Sequence, residues 1–229
     1  MVADDIDHTE RTFRGLSNIL DCCCNPGRAR VSGRISETLD VPRAPNVVLR
    51  RHSETANAPP ETPEAAGGDV QLVPNPEAVA QADAVVLPGV GAFDDCINAM
   101  QRQELFEAAR AFVSTGKPFL GICVGYQALF EKSEEFNSCA AGLGIFEGSV
   151  VRFPDAKVKV PQIGWNEVQF SKPDCPILQG IESGSHFYFV HSYYPQPKDE
   201  SIVATRTEYG VDFASAVWRD NVFATQFHP

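Results

Sequence analysis

Hydrophobic positions fall into two regimes along the 229 residues, with a border near residue 64. After the border, short apolar runs alternate with amphipathic stretches. "VQLV" (70–73) and "DAVVLP" (83–88) have the length and composition of strands. Between them Asn75 and Pro76 form a helix start, a capping side chain followed by proline in the first helical position, for "PEAVAQA". Residues 94–115 carry the helical period and predict one or two amphipathic helices ended by Gly116, after which Pro118 opens the strand "PFLGI". Beyond residue 144 the period shortens to strand-like alternation in "IFEGSVVRF", "WNEVQF", "HFYFVHSYY", "SIVATRTEY", "FASAVWR" and "VFATQF". The pattern predicts an α/β fold, a mostly parallel sheet flanked by helices, with antiparallel strands added in the later half.

Residues 1–63 lack this patterning. Of all the aromatic residues only Phe13 precedes position 70, eight of the 13 arginines precede residue 52, and every lysine follows Gly116. With the proline-rich "NAPPETPEAAGG", such a stretch buries too little apolar surface to offset its chain entropy, and disorder is expected. "GLSNIL" and "PNVVLR" are the exceptions, a turn of helix and a stray strand. Cys22, Cys23 and Cys24 invite a metal reading, but no second ligand cluster follows at zinc-site spacing, so no metal is expected.

A formal charge of -11 argues against nucleic acid or an anionic membrane surface as partner. No run of about 18 apolar residues is present to span a bilayer, and the acidic start has neither a basic nor an apolar leader region. Seven cysteines without an export signal predict free thiols in the cytoplasm.

The chemistry concentrates at "GICVG" (121–125), which has the form of a nucleophile elbow with cysteine at its centre. A strand turning sharply into a helix presents Cys123 at the sheet edge, and Gly121 and Gly125 leave room where the two backbones crowd. The Val124 amide then faces an oxyanion, and the helix start is expected to lower the thiol pKa. A tightly turned structural cysteine is the plain alternative. A nucleophilic thiol needs a base, and His191 or His228, each ending an apolar strand, can reach that edge. Glycines 89 and 91 in "LPGVGAF" suit a loop of outward amides, whereas the P-loop and dinucleotide patterns do not fit.

Together these segments resemble the class I, triad-type glutamine amidotransferases, and among them the glutaminase subunits of imidazole glycerol phosphate synthase. The resemblance is carried by "LPGVGAF", "GKPFLGICVGYQALFEKSEE", "GLGIFEGSVVRF", "PQIGWNEV", "FVHSYY" and "ATQFHP", in order through residues 64–229. It implies Cys123 as nucleophile, His228 as base, Gly89, Val90 and Gly91 as oxyanion strand, and Val124 as second amide donor. Gln127 and Glu135 would hold the ends of glutamine, helped by the backbone at Ser192 and Tyr193. Trp165, Asn166 and Tyr188 would face a (β/α)8-barrel cyclase subunit in a heterodimer. No cofactor is implied.

The chain departs from that pattern in three places. The glutamate that in the family follows the histidine after one proline and orients it is absent, since the sequence given ends at Pro229; Gln162 stands where the family usually has a histidine before "GWN"; and residues 1–63 lack the family's first strand and "DYG-GN" loop. A misread upstream frame and a truncated end are therefore expected. An amidotransferase for another acceptor, or a non-catalytic module of the same fold, are the alternative readings.

Overall fold

The computed structural model describes residues 47–50, 69–72, 75–154 and 156–228. The triple cysteine, "GLSNIL" and the proline-rich stretch lie outside them.

An eight-stranded sheet organises the molecule, in the order β2-β1-β3-β4-β13-β12-β11-β8. Its centre is β3 (Ala84–Gly89), β4 (Phe119–Cys123) and β13 (Val222–Thr225), paired in parallel. Both β3 and β4 are apolar and almost wholly buried, as strands covered on both faces must be. The outer strands β12 (Asp212–Arg219), β11 (Val203–Glu208) and β8 (Gln169–Phe170) are antiparallel. At the opposite edge β1 (Val47–Arg50) runs antiparallel to β3 and to β2 (Asp69–Leu72). The parallel part is thus confined to the centre, a smaller share than the strand–helix alternation suggested. Among the described residues, Val47–Arg50 alone of the early segment forms an element, and it occupies a sheet position beside β3.

Asn75 caps α1 (Pro76–Gln81) as expected, its side chain accepting from the Ala78 amide at 3.0 Å. The long amphipathic stretch forms two helices, α2 (Phe93–Arg102) and α3 (Leu105–Val113), separated at Glu104 with its left-handed φ of 60°. Their buried faces, including Phe93, Ile97, Met100, Leu105 and Phe112, join Phe119 and Leu120 of β4 in the core. Each such side chain contributes about 1.5–3 kcal/mol through burial. A second aromatic cluster, Phe153, Phe189, Phe213, Phe227 and Tyr194, packs around His191. Two smaller sheets complete the fold: β5 (Lys132–Ser133), β6 (Gly148–Arg152) and β10 (Tyr193–Pro197), and the antiparallel pair β7 (Gln162–Glu167) and β9 (His186–His191). Among the described residues no helix is long and apolar enough to cross a membrane.

Candidate active site

Cys123 ends β4 and opens α4 (Val124–Gln127), with φ 55° and ψ -111°. That backbone state is sparsely populated for a non-glycine residue and costs on the order of 1–3 kcal/mol. The surroundings enforce it. A β-carbon on Gly125 would lie 1.8 Å from the carbonyl oxygen of Leu87, and one on Gly121 would lie 2.9 Å from the oxygen of Gly125. The parallel register sets Gly89 beside Cys123, which brings the loop Val90–Ala92 to the thiol.

The thiol is almost fully buried. Gln226 donates to Sγ from Nε2 at 3.6 Å, and the Val124 amide donates to it as well. Both contacts favour thiolate, yet burial outweighs them and pushes the pKa up to about 11, with the Glu135 charge adding to the rise. The sequence expectation of a lowered pKa is thereby corrected. A single helical turn supplies too weak a field to offset desolvation. The Val124 amide, expected to face an oxyanion, points here to the sulfur.

A cavity of about 390 Å³ opens over Cys123. Val90, Gly91, Val124 and His228 line it, and so do Gln127, Glu135, Ser192 and Tyr193. Gly89 contributes from behind, as the strand end that aims the loop. His228 follows β13 and is fixed by its own amide, which donates to the Tyr188 carbonyl at 3.0 Å. Its Nε2 is buried without a hydrogen-bond partner among the described residues, and burial holds its pKa below 6.5. A neutral imidazole results, the form a proton acceptor needs.

His191, the other candidate base, lines the same cavity, and its Nε2 is likewise buried without a hydrogen-bond partner among the described residues, but its other ring nitrogen is tied down. Its Nδ1 donates to the Tyr193 carbonyl at 2.8 Å, and burial lowers its pKa to about 4. Gln127 is likewise committed inward, donating to the Tyr193 carbonyl at 3.0 Å and to Gln226 at 3.1 Å. Glu135, half-buried, accepts from the Phe93 amide at 2.7 Å; burial raises its pKa. Sequence reasoning missed Gln226, although its two-residue spacing from His228 was the available signal. Pro161 and Val190 also line the cavity unannounced.

Beside the mouth, β7 and β9 present an apolar outer face. Ile163 and Trp165 are 60% and 53% exposed, Val190 41% and Val90 79%. Trp165 meets Tyr188 edge to face, ring centroids 5.8 Å apart. Asn166 does not share that face: its Oδ1 accepts from Gln162 at 2.9 Å, because strand alternation turns it away from Trp165. Among the described residues no three His, Cys, Asp or Glu side chains cluster as metal ligands would.

The model of the family "Glutamine amidotransferase class-I" matches residues 62–229. The chain is 49% identical over 172 residues to "Imidazole glycerol phosphate synthase subunit HisH" of Syntrophotalea carbinolica, covering 72% of this chain and 82% of that protein. The subunits of the same name from Aquifex aeolicus and Geobacter sulfurreducens are 48% and 42% identical, each over 72% of this chain and over 79% and 81% of their own lengths. A solved structure titled "Crystal structure of glutamine amidotransferase" superposes with a TM-score of 0.53 at 22% identity, over 69% of this chain and 76% of that one, a likeness of fold.

Proposed function

The chain belongs to the class I glutamine amidotransferases, and from that premise we propose that Cys123 is the nucleophile that releases ammonia from glutamine. The observation that carries the assignment is the strained elbow at Cys123, opening into a cavity that it shares with His228. The sulfur, as thiolate, attacks the side-chain amide carbon. His228 takes the thiol proton and passes it to the departing nitrogen, so that the C–N bond breaks and ammonia leaves. Water, deprotonated by His228, then attacks the thioester, releasing glutamate and restoring the thiol.

The tetrahedral oxyanion is received by the Val90 and Gly91 amides. The Val124 amide joins them once the sulfur is covalently engaged, with Gly89 fixing the loop's approach. Glu135 holds the amino end of glutamine together with the side-chain oxygen of Gln127, and the backbone at Ser192 and Tyr193 helps to seat the other end. The amidotransferase domain is read as residues 64–229, and the enzyme as cytoplasmic.

The ammonia serves imidazole glycerol phosphate formation in histidine biosynthesis, and the partner is the cyclase subunit of that synthase. We read the partner as a (β/α)8 barrel that conducts ammonia to its far face, docking on Trp165 and Tyr188. Burial pushes the thiol pKa up to about 11, so removal of its proton by His228 accompanies the attack on the amide.

The test is glutamate formation from glutamine by the full chain, with and without the cyclase subunit and its nucleotide substrate. The reading predicts glutamate release that rises on adding both and vanishes in Cys123→Ala. No release under any of these conditions would sink it.

A further inference from the structure

The oxyanion loop is anchored at its two ends. The Val90 and Gly91 amides donate to no group among the described residues, and Val90 stands exposed. At one end Gly89 pairs with Cys123 in the β3–β4 ladder. At the other end comes Phe93, the first residue of α2, whose amide donates to Glu135 Oε2 across 42 residues of chain.

That bond does the work of a missing cap. Ala92 occupies the N-cap position of α2 with an extended backbone and no side chain able to receive the orphan amides. Two further ties fasten the same turn. The Ser138 hydroxyl donates to Asp94, and the Cys139 amide donates to the other oxygen of that carboxylate at 3.3 Å. Residues 135–139 therefore clamp the start of α2, and with it the trailing end of the loop. Glu135 also faces the cavity, and its Oε1 enters no hydrogen bond among the described residues.

We propose that Glu135 is a positioning residue as well as a ligand. One carboxylate oxygen holds the end of the Gly89–Gly91 loop while the other takes the α-ammonium of glutamine, so substrate binding and oxyanion geometry are joined at one side chain. The ligand half rests on reading the cavity as a glutamine site. An ammonium on Oε1 keeps the carboxylate charged despite its burial and despite Asp94 and Asp95 nearby. A charged acceptor grips the Phe93 amide harder than a neutral one.

Glu135→Gln and Glu135→Ala separate the two roles, measured as kinetics of the full chain with the cyclase subunit and as amide hydrogen exchange of the chain. The glutamine amide oxygen still accepts from Phe93 but carries no charge for the ammonium. Glu135→Gln is expected to raise KM about tenfold or more with kcat within about threefold of the parent, and to speed exchange of the Phe93 amide by no more than about threefold, since its neutral oxygen grips less firmly. Glu135→Ala is expected to raise KM similarly, to lower kcat a further ~10-fold, and to speed that exchange ~10-fold. Equal kcat and equal exchange in the two variants would overturn the positioning role, and a KM unmoved in both would remove the ligand role. Should the parent itself release no glutamate, the glutamine-site reading fails, and the exchange comparison alone decides whether Glu135 holds the loop.

Discussion

Gly125 stands so close to Leu87 that any β-carbon on it would be driven to 1.8 Å from the Leu87 carbonyl oxygen. The contact locks the first turn of α4 against β3. It is one reason Cys123 keeps its φ of 55°.

Gly125→Ala must therefore push α4 away from the sheet, because the obstacle is backbone and has no rotamer to escape through. The expected cost is about 3 kcal/mol or more, at the upper end of overpacking penalties. Urea denaturation followed by far-UV circular dichroism checks it. Gly144→Ala is the comparison: an added β-carbon there meets nothing within 4 Å, but its φ of 61° still costs about 1 kcal/mol.

The raised thiol pKa makes Cys123 a slow nucleophile in the isolated chain. Its alkylation by iodoacetamide is expected to quicken about tenfold per pH unit from neutrality, without levelling off before about pH 11. Because Cys139 is exposed, the rate is read at the Cys123 peptide by mass spectrometry. A plateau near pH 8.5 would mean that burial does not govern the thiol.

His191 gives the fold a definite acid response. In the unfolded chain it takes a proton near pH 6.5, whereas burial keeps it neutral in the fold down to about pH 4. The unfolded state therefore binds more protons in between. The stabilisation is complete above 6.5 and is lost as pH falls toward 4, a loss of about 3 kcal/mol. His191→Asn, whose side-chain amide can still donate to the Tyr193 carbonyl, should flatten the difference in unfolding free energy between pH 7 and pH 4.5 relative to the parent. Parallel pH profiles for the two proteins would refute the assignment.

Trp165→Ala removes the largest exposed side chain of the β7–β9 face and its edge contact with Tyr188. Affinity for the cyclase subunit is expected to fall about tenfold to a hundredfold, as for a buried aromatic anchor. Calorimetry measures it, and circular dichroism of the free variant should stay that of the parent. Asn166→Ala is expected to weaken docking much less, since its side chain bonds Gln162 rather than facing outward.

Local chemistry was legible in the sequence. "GICVG" announces the elbow because its glycines are demanded by contacts within one strand–turn–helix unit. Asn75-Pro76 announces a cap because both capping partners lie within four residues. What escaped was set by residues distant in the chain. The Gln226–Cys123 contact spans 103 positions and the Glu135–Phe93 bond 42, and no local period encodes either. The thiol pKa followed suit, since the expected helix field was local whereas the burial that overrides it comes from the whole cavity wall. Trp165 and Tyr188 were placed on one face because they pair directly across β7 and β9; Asn166, one residue on, takes the opposite side.

The central claim is that Cys123 forms a covalent bond with the side-chain carbonyl end of glutamine. Incubating the full chain and the cyclase subunit with a diazo-ketone analogue of glutamine, then mapping the adduct by peptide mass spectrometry, tests it most directly. The account predicts a single adduct on Cys123, formed faster with the cyclase subunit present and blocked by excess glutamine. A folded chain that stays unmodified at Cys123 while bound to its partner would contradict it.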